Sequence, residues 1–302
     1  MKVSDIKQSK VSVNDIVIAN AGLIFEGGGM RGLYTAGVVD ALLDNGVVIK
    51  TGIGVSAGIC HACSYYSLQR GRAARVILDY IDRSYYCGRK VYAKTGDFFS
   101  ERFIYHTVPE KLNRIDNDAF VFLNKNGVKL YSCVTSLESG RAEYFRIEDM
   151  FEDIEKIRAS ASLPLLSRNV EIDGKYYLDG GVADSIPIKQ SEKLGNKKNV
   201  VILTQPRDYR KKPNSAYPLI KLKYSRYPRF TRSMKLRYLV YNRTLDYIKE
   251  QEESGSAFVI APQMSFNIDR LERDRTKLCE LYAAGYADAM GRMAEIKKFL
   301  DI

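Results

Sequence analysis

Three short motifs carry the chemistry open to this chain. They are Gly27-Gly28-Gly29-Met30-Arg31-Gly32, Gly54-Val55-Ser56-Ala57-Gly58 and Asp179-Gly180-Gly181, in that order. Between them they supply a hydroxyl, a carboxylate and a run of backbone N–H groups with no side chain in front. A hydroxyl with a base beside it is a nucleophile. Exposed N–H groups can hold the oxyanion that forms when such a nucleophile attacks an ester carbonyl.

The flanking residues must present these groups. Val47 to Ile53 is a short apolar run with the character of a buried strand, and Ile59 to Gln69 reads as a helix. Ser56 then sits on the tight strand-to-helix turn of a nucleophile elbow, with glycine at 54 and 58 removing side chains that would collide. The helix dipole at that turn favours negative charge. The glycine run follows the apolar stretch Ala21–Phe25 and opens a helical pattern that ends near Gly46. Strand, glycine loop and helix N-terminus make an anion site. A nucleotide phosphate loop is the rival reading. However, the spacing lacks the Lys-Ser/Thr pair of a P-loop, and Asp40 and Asp44 come too early for a dinucleotide fold. A close helix–strand crossing is the plainer alternative.

Asp179 ends the apolar stretch Tyr176–Leu178, where aspartate is commonly a turn residue. What raises it is the need for a base. The chain has only two histidines. His61 lies on the predicted nucleophile helix and is carried away from Ser56. His106 stands in an aromatic stretch, without an acidic residue expected beside it. No histidine follows Asp179, so the order Ser…Asp…His is not available. A Ser56–Asp179 dyad is the economical reading.

These motifs, with the stretch RASASLPLLSRNVEIDGKYYLDGGVADSIP that leads into and past Asp179, resemble the patatin-like phospholipases, in particular a bacterial intracellular branch. The resemblance covers about residues 20 to 205. It implies a three-layer α/β/α fold with a mostly parallel central sheet, and a lipid acyl hydrolase using a Ser–Asp dyad. Carried over by position, Ser56 is the nucleophile and Asp179 the base. The oxyanion hole falls on the N–H groups of Gly28 and Gly29, with Gly27 beside them. Arg31, Gly32, Gly54, Gly58, Gly180 and Gly181 complete the motifs, and Pro164 and Pro187 match the flanking prolines.

Composition agrees with a globular hydrolase. The 302 residues are 45% hydrophobic and 27% charged, ordinary values for a folded domain. The first twenty residues mix charge with isolated apolar residues and read neither as a signal peptide nor as an anchor. No uncharged apolar run of about 18 residues is present. The five cysteines are expected to be reduced, packed thiols of a cytoplasmic protein. Cys60-His61-Ala62-Cys63 invites a metal or redox reading, but no second cluster completes a zinc site. No metal or organic cofactor is called for.

Strand patterns at Ala21–Phe25, Gly52–Val55, Phe120–Leu123, Lys129–Thr135, Arg141–Arg146 and Val200–Thr204 alternate with helical ones at Leu33–Asp44, Ile59–Gln69, Ala73–Tyr85, Met150–Ala159 and Ile188–Leu194. Such alternation predicts a parallel sheet covered by helices. Asn126-Gly127 reads as a hairpin turn that makes one edge antiparallel. Leu236–Glu253, Ala257–Ala261 and Arg270–Leu300 read as a helix–strand–helix unit completing the same domain, so the chain is expected to be one hydrolase domain over 1–302.

Two stretches are candidates for substrate contact. Tyr85, Tyr86, Tyr92, Phe98, Phe99, Phe103 and Tyr105 could line an acyl pocket or simply be core. Residues 206 to 250 hold thirteen Lys or Arg against Asp208, Asp246 and Glu250, a local charge of +10 in a chain of net +11. With four prolines and seven tyrosines interleaved, they read as an extended basic loop. Such a loop could dock on anionic membrane, stack on nucleic acid, or be a solvated face; a lipid or lysophospholipid substrate favours the first, and no nucleic acid is expected. A catalytically silent scaffold at membrane surfaces is the alternative to an esterase.

Overall fold

The computed structural model describes residues 2–302. An eight-stranded sheet runs through its centre. Its strands are β1 (Val17–Phe25), β2 (Val47–Val55), β3 (Lys129–Ser136), β4 (Ala142–Ile147), β5 (Val170–Ile172), β6 (Lys175–Asp179), β7 (Asn199–Ile202) and β8 (Ala257–Ile260). The order is β8-β7-β1-β2-β3-β6-β5, with β4 paired to the other edge of β3. The five strands from β8 to β3 are parallel, and β4, β5 and β6 are antiparallel to their neighbours.

The parallel strands are mostly buried on both faces, most completely at β7 and β8, which read as apolar runs. Alternation along each strand sorts the side chains into two cores. Leu23, Phe25, Val200, Ile202, Phe258 and Ile260 point into the larger one, with helices Leu33–Asp44, Ala57–Tyr66 and Arg275–Gly291. Ile24, Val201, Leu203 and Val259 point the other way, against Ile188 and against Tyr241, Leu245 and Ile248 of helix Pro228–Glu253. Three layers result, as the resemblance implied.

Four sequence expectations need correction. Phe120–Leu123 is helical, within Asn117–Lys125. Asp116 caps it by accepting from Ala119 N at 3.1 Å, and an apolar run of four residues cannot by itself separate a strand from a buried helix segment. Asn126-Gly127 therefore joins a helix to β3 and makes no hairpin; the antiparallel partner of β3 is β4. Residues 206 to 250 are not one extended loop. Helix Tyr217–Lys223 and helix Pro228–Glu253 occupy most of them. Pro218 and Pro228 lie in the first helical turns, where proline's missing N–H costs nothing. Last, His106 does have an acidic neighbour, Glu110, at 3.3 Å.

Candidate active site

Strand register brings Ser56 and Asp179 together. β2 runs along one edge of β3 and ends with Val55 opposite Cys133. β6 approaches along the same edge from the other end and finishes with Asp179 opposite Val134. Two strands meeting head to head on adjacent residues of a third place their terminal residues side by side. Thr135 Oγ1 fixes the meeting point, donating to the carbonyl oxygens of Asp179 at 2.9 Å and Gly180 at 3.2 Å.

Ser56 has φ 56° and ψ −129°, outside the regions a side chain prefers. Such strain costs about 1–3 kcal/mol and persists only where the surroundings enforce it. Here they do. A Cβ on Gly54 would stand 2.4 Å from Ile59 Cα, so the turn closes only because none is there. Ser56 N donates to Ser160 Oγ at 2.9 Å, and Asp179 N donates to Ser162 O at 2.9 Å. The ASAS stretch, Ala159 to Ser162, thus ties down both Ser56 and Asp179. Nothing in local sequence marked Ser160 for this, because its partner lies 104 residues away.

Asp179 is 2% exposed. Its Oδ1 accepts from Gly181 N at 2.8 Å, while Oδ2 is buried with no partner of regular geometry among the described residues. Burial pushes its pKa above the ordinary carboxylate value. Arg237, the Ser56 hydroxyl, the Gly181 N–H and Arg270 work in the opposite direction. The net direction is upward, toward a better base.

The glycine loop faces the same space. Among the described residues, the N–H groups of Gly27, Gly28 and Gly29 find no acceptor, whereas Met30 N donates to Arg270 O at 3.1 Å and Arg31 N to Gly28 O at 3.3 Å. Gly29 has φ +58°, and a Cβ there would stand 2.5 Å from Arg270 O. Gly28 opens the short 3-10 turn Gly29–Gly32, and Gly32 caps helix Leu33–Asp44. Glu26, just before the loop, anchors it. Its carboxylate accepts from Thr204 N at 2.6 Å, Thr204 Oγ1 at 3.0 Å and Tyr241 Oη at 2.6 Å. A glutamate directly after a buried apolar strand was the available signal for this residue.

Ser56 and Gly29 line two cavities of opposite character. One, of about 160 Å3, is apolar and includes Cys60, Tyr86, Phe99 and Tyr105 in its wall. Part of the aromatic stretch therefore does face Ser56, although Tyr85 and Tyr92 are exposed. His61 and Cys63 line the same cavity. Burial holds the His61 pKa down at about 4 and raises that of Cys60 to about 12. The imidazole is thus neutral at physiological pH, turned toward Gly32 with Nε2 unpartnered. The second cavity is polar and holds Asp179, Glu26, Arg31, Lys211, Arg237 and Arg270. Glu101, His106 and Glu155 lie within 4.8 Å of one another, but Arg158 and Arg168 already pair with the two carboxylates.

Among the described residues no helix is long and apolar enough to cross a membrane. The crystal structure of VipD from Legionella pneumophila superposes with a TM-score of 0.47 at 13% identity, covering 98% of this chain and 70% of that one. The type III effector ExoU gives a TM-score of 0.40 at 13% identity, over 92% of this chain and 53% of that one. The uncharacterized protein YjjU of Escherichia coli (strain K12) is 29% identical over 61% of this chain and 52% of its own length. The probable lipid hydrolase 463L of Invertebrate iridescent virus 6 is 26% identical over 59% of this chain and 65% of its own. The matched segment thus spans between half and two thirds of these relatives. A family model described as a domain of unknown function (DUF6363) matches residues 227–301. A model described as patatin-like phospholipase matches residues 23–191. That match takes in all three motifs and more than half the sequence, and by it the chain belongs to the patatin-like phospholipase family.

Proposed function

We propose that this protein is a serine lipid acyl hydrolase that cleaves carboxylic esters through a Ser56–Asp179 dyad. The observation that carries the reading is the buried, unpartnered Oδ2 of Asp179 beside the strained Ser56. A carboxylate buried in a dry site is costly, and groups perturbed in this way concentrate at functional sites. Family membership and the similarity to a viral probable lipid hydrolase support a lipid substrate.

In the proposed reaction Ser56 Oγ attacks the ester carbonyl and its proton passes to Asp179. The oxyanion takes hydrogen bonds from the free N–H groups of Gly28 and Gly29, with Gly27 adjacent. Collapse expels the alcohol, which leaves with the proton from Asp179. Water, deprotonated by Asp179, then releases the fatty acid and restores Ser56. The apolar cavity accepts the acyl chain. Every proton moves between Ser56, Asp179, water and the alcohol, so no histidine is required.

Two further readings belong to this proposal. Residues 227–301 are part of the same hydrolase domain, supported by β8 extending the sheet and by Arg270 backing the glycine loop. The protein acts in the cytoplasm and touches anionic membrane. Support for the contact comes from Leu219 and Leu222, which are 62% and 74% exposed beside Lys221 and Lys223 on helix Tyr217–Lys223.

The test is covalent. A fluorophosphonate should label Ser56, and Ser56→Ala should remove both the label and hydrolysis of a short-chain aryl ester. Labelling elsewhere with full activity retained in Ser56→Ala would reject the dyad.

A further inference from the structure

The polar cavity beside Ser56 carries more positive charge than the reaction needs. Arg31, Lys211, Arg237 and Arg270 line it, against only two carboxylates, Glu26 and Asp179. Glu26 is saturated by Thr204 and Tyr241. Among the described residues none of the four cationic side chains makes an ion pair or hydrogen bond, although seventeen ion pairs form elsewhere. Arg31 Nε and Arg237 Nε are buried without a partner. Lys211 Nζ rests over the Tyr241 ring at 4.1 Å, not on an acid.

Clustered cations without counter-ions destabilise one another, and each resists desolvation. The shifts follow. Burial, reinforced by Arg237 and Arg270, lowers the Lys211 pKa to about 7, and burial with Arg270 lowers that of Arg237 to about 10. A surface run of basic residues does not behave this way. A cavity built to receive an anion does, because the ligand supplies the missing charge. Lys211, Arg237 and Arg270 also line an adjoining cavity of about 230 Å3, with Tyr209, Asn214 and Tyr238. The three cations therefore stand at a seam, with Ser56 on one side and room for a polar group on the other.

We propose that Lys211, Arg237 and Arg270 form a phosphate-binding site that holds the headgroup phosphate of a glycerophospholipid or lysophospholipid while its ester carbonyl lies at Ser56. This deepens the hydrolase reading and rests on it. The acyl chain then occupies the apolar cavity, the phosphate bridges the three cations, and the rest of the headgroup enters the adjoining cavity. Guanidinium groups match phosphate geometry in two-point contacts. The site selects phosphate-bearing lipids over neutral acylglycerols of the same chain.

The experiment compares a lysophospholipid with the monoacylglycerol of the same acyl chain, both below micelle concentration, in the full-length protein. Wild type should favour the lysophospholipid in kcat/KM by about tenfold or more, about 1.4 kcal/mol. Lys211→Gln and Arg270→Gln should each lower that ratio about fivefold or more, mainly through KM, while Lys249→Gln, far out on helix Pro228–Glu253, leaves it unmoved. Circular dichroism and thermal melting report whether each variant is folded. Inhibition of aryl-ester hydrolysis by inorganic phosphate and by an ether-linked lysophospholipid separates the two sources of phosphate. The ether lipid should inhibit at far lower concentration, and the gap should close in both variants. A wild-type ratio near one, a ratio indifferent to both substitutions, or inorganic phosphate binding as tightly as the ether lipid would each overturn the proposal. Absence of any Ser56-dependent ester hydrolysis would overturn the hydrolase reading instead. Calorimetric binding of the ether lipid, and its loss in Arg270→Gln, would then still report on the phosphate site.

Discussion

The two cavities that meet at Ser56 are built from different parts of the chain. The apolar one draws its whole wall from residues 29 to 163, inside the segment matched by the patatin-like model. The polar one takes its glycines, Ser56 and Asp179 from that same segment. Its Lys211, Arg237, Tyr241 and Arg270 come from beyond it. One cavity is walled by side chains that exclude water, the other by cations that lack partners. On the proposed function, chemistry and charge selectivity are separable here. The proposed dyad and the apolar cavity could then stay fixed while the C-terminal region sets which headgroup is accepted. The contact between the regions is close: Arg270 accepts from Met30 N and stands where a Gly29 Cβ would be.

The largest expected effect removes both halves of the comparison at once. Ser56→Ala and Asp179→Asn should each lower kcat on every ester, charged or neutral, by at least about 10^3-fold, since members of one catalytic unit fail together. The double variant should be little worse than either single one. His61→Asn should lose much less, because its neutral imidazole points toward Gly32. A His61→Asn as dead as Ser56→Ala, with Asp179→Asn still active, would replace the dyad with a triad.

Next comes the apolar side alone. Cys60 faces the acyl cavity and is only half-buried within the nucleophile helix. Cys60→Trp should fill that cavity and lower kcat/KM on long-chain esters by about 10- to 100-fold, because excluding several methylenes forfeits about 0.8 kcal/mol each. A short aryl ester should be affected far less. Equal losses on short and long chains would mean that the acyl group lies elsewhere.

The legible and illegible parts of this molecule divide along the same line. The turn at Ser56 and the glycine loop were readable because each depends on neighbours within a few residues; Asp179 was reached as the candidate base only by weighing the whole chain's histidines. Ser160 was not readable, because its role exists only once distant elements are packed together. Lys211 illustrates the limit best. Sequence counted it in an extended basic loop suited first to a membrane surface, yet it is half-buried against Tyr241 in the polar cavity beside Ser56. Charge counts carry no information about which residues of a segment turn inward. Pro218 and Pro228 misled for another reason. Proline starts helices as readily as it interrupts them, and the choice depends on the apolar spacing that follows, here Phe230, Met234, Tyr241, Leu245 and Ile248.

Between the two cavities, Arg237 couples charge to chemistry, which pH can read. Desolvation raises the Asp179 pKa and Arg237 opposes it. Only the ionised carboxylate can take the Ser56 proton, so kcat/KM should fall as pH drops through that raised pKa. The midpoint of this acid limb should lie above the ordinary carboxylate value of 3.8. Arg237→Gln removes the opposing cation, so the midpoint should move further up. At a fixed pH below both midpoints the variant should be slower, by about tenfold for each unit of displacement. A midpoint that moves down would show that Arg237 does not act through Asp179.

The smallest effect on turnover concerns the outer surface, where basic residues really are exposed. Leu219 and Leu222 protrude from helix Tyr217–Lys223 beside Lys221, Lys223, Arg226 and Arg229. Exposed leucines flanked by cations suit the boundary between headgroups and acyl chains, and each basic residue near an anionic surface contributes about 1 kcal/mol. Binding should be tighter to anionic than to neutral vesicles, and should weaken with salt as the Debye length falls below about 10 Å at 0.1 M. Replacing Lys221, Lys223, Arg226 and Arg229 with glutamine should abolish the preference, and Leu219→Ser with Leu222→Ser should weaken what remains. None of these residues lines either cavity, so hydrolysis of a soluble monomeric ester should change by less than about twofold, within the scatter of surface substitutions. Vesicle co-sedimentation and aryl-ester kinetics on the same preparations separate the two readouts. Equal binding of wild type to neutral and anionic vesicles would reduce this surface to a solvated face, and leave the buried cations as the ones whose charge the protein uses.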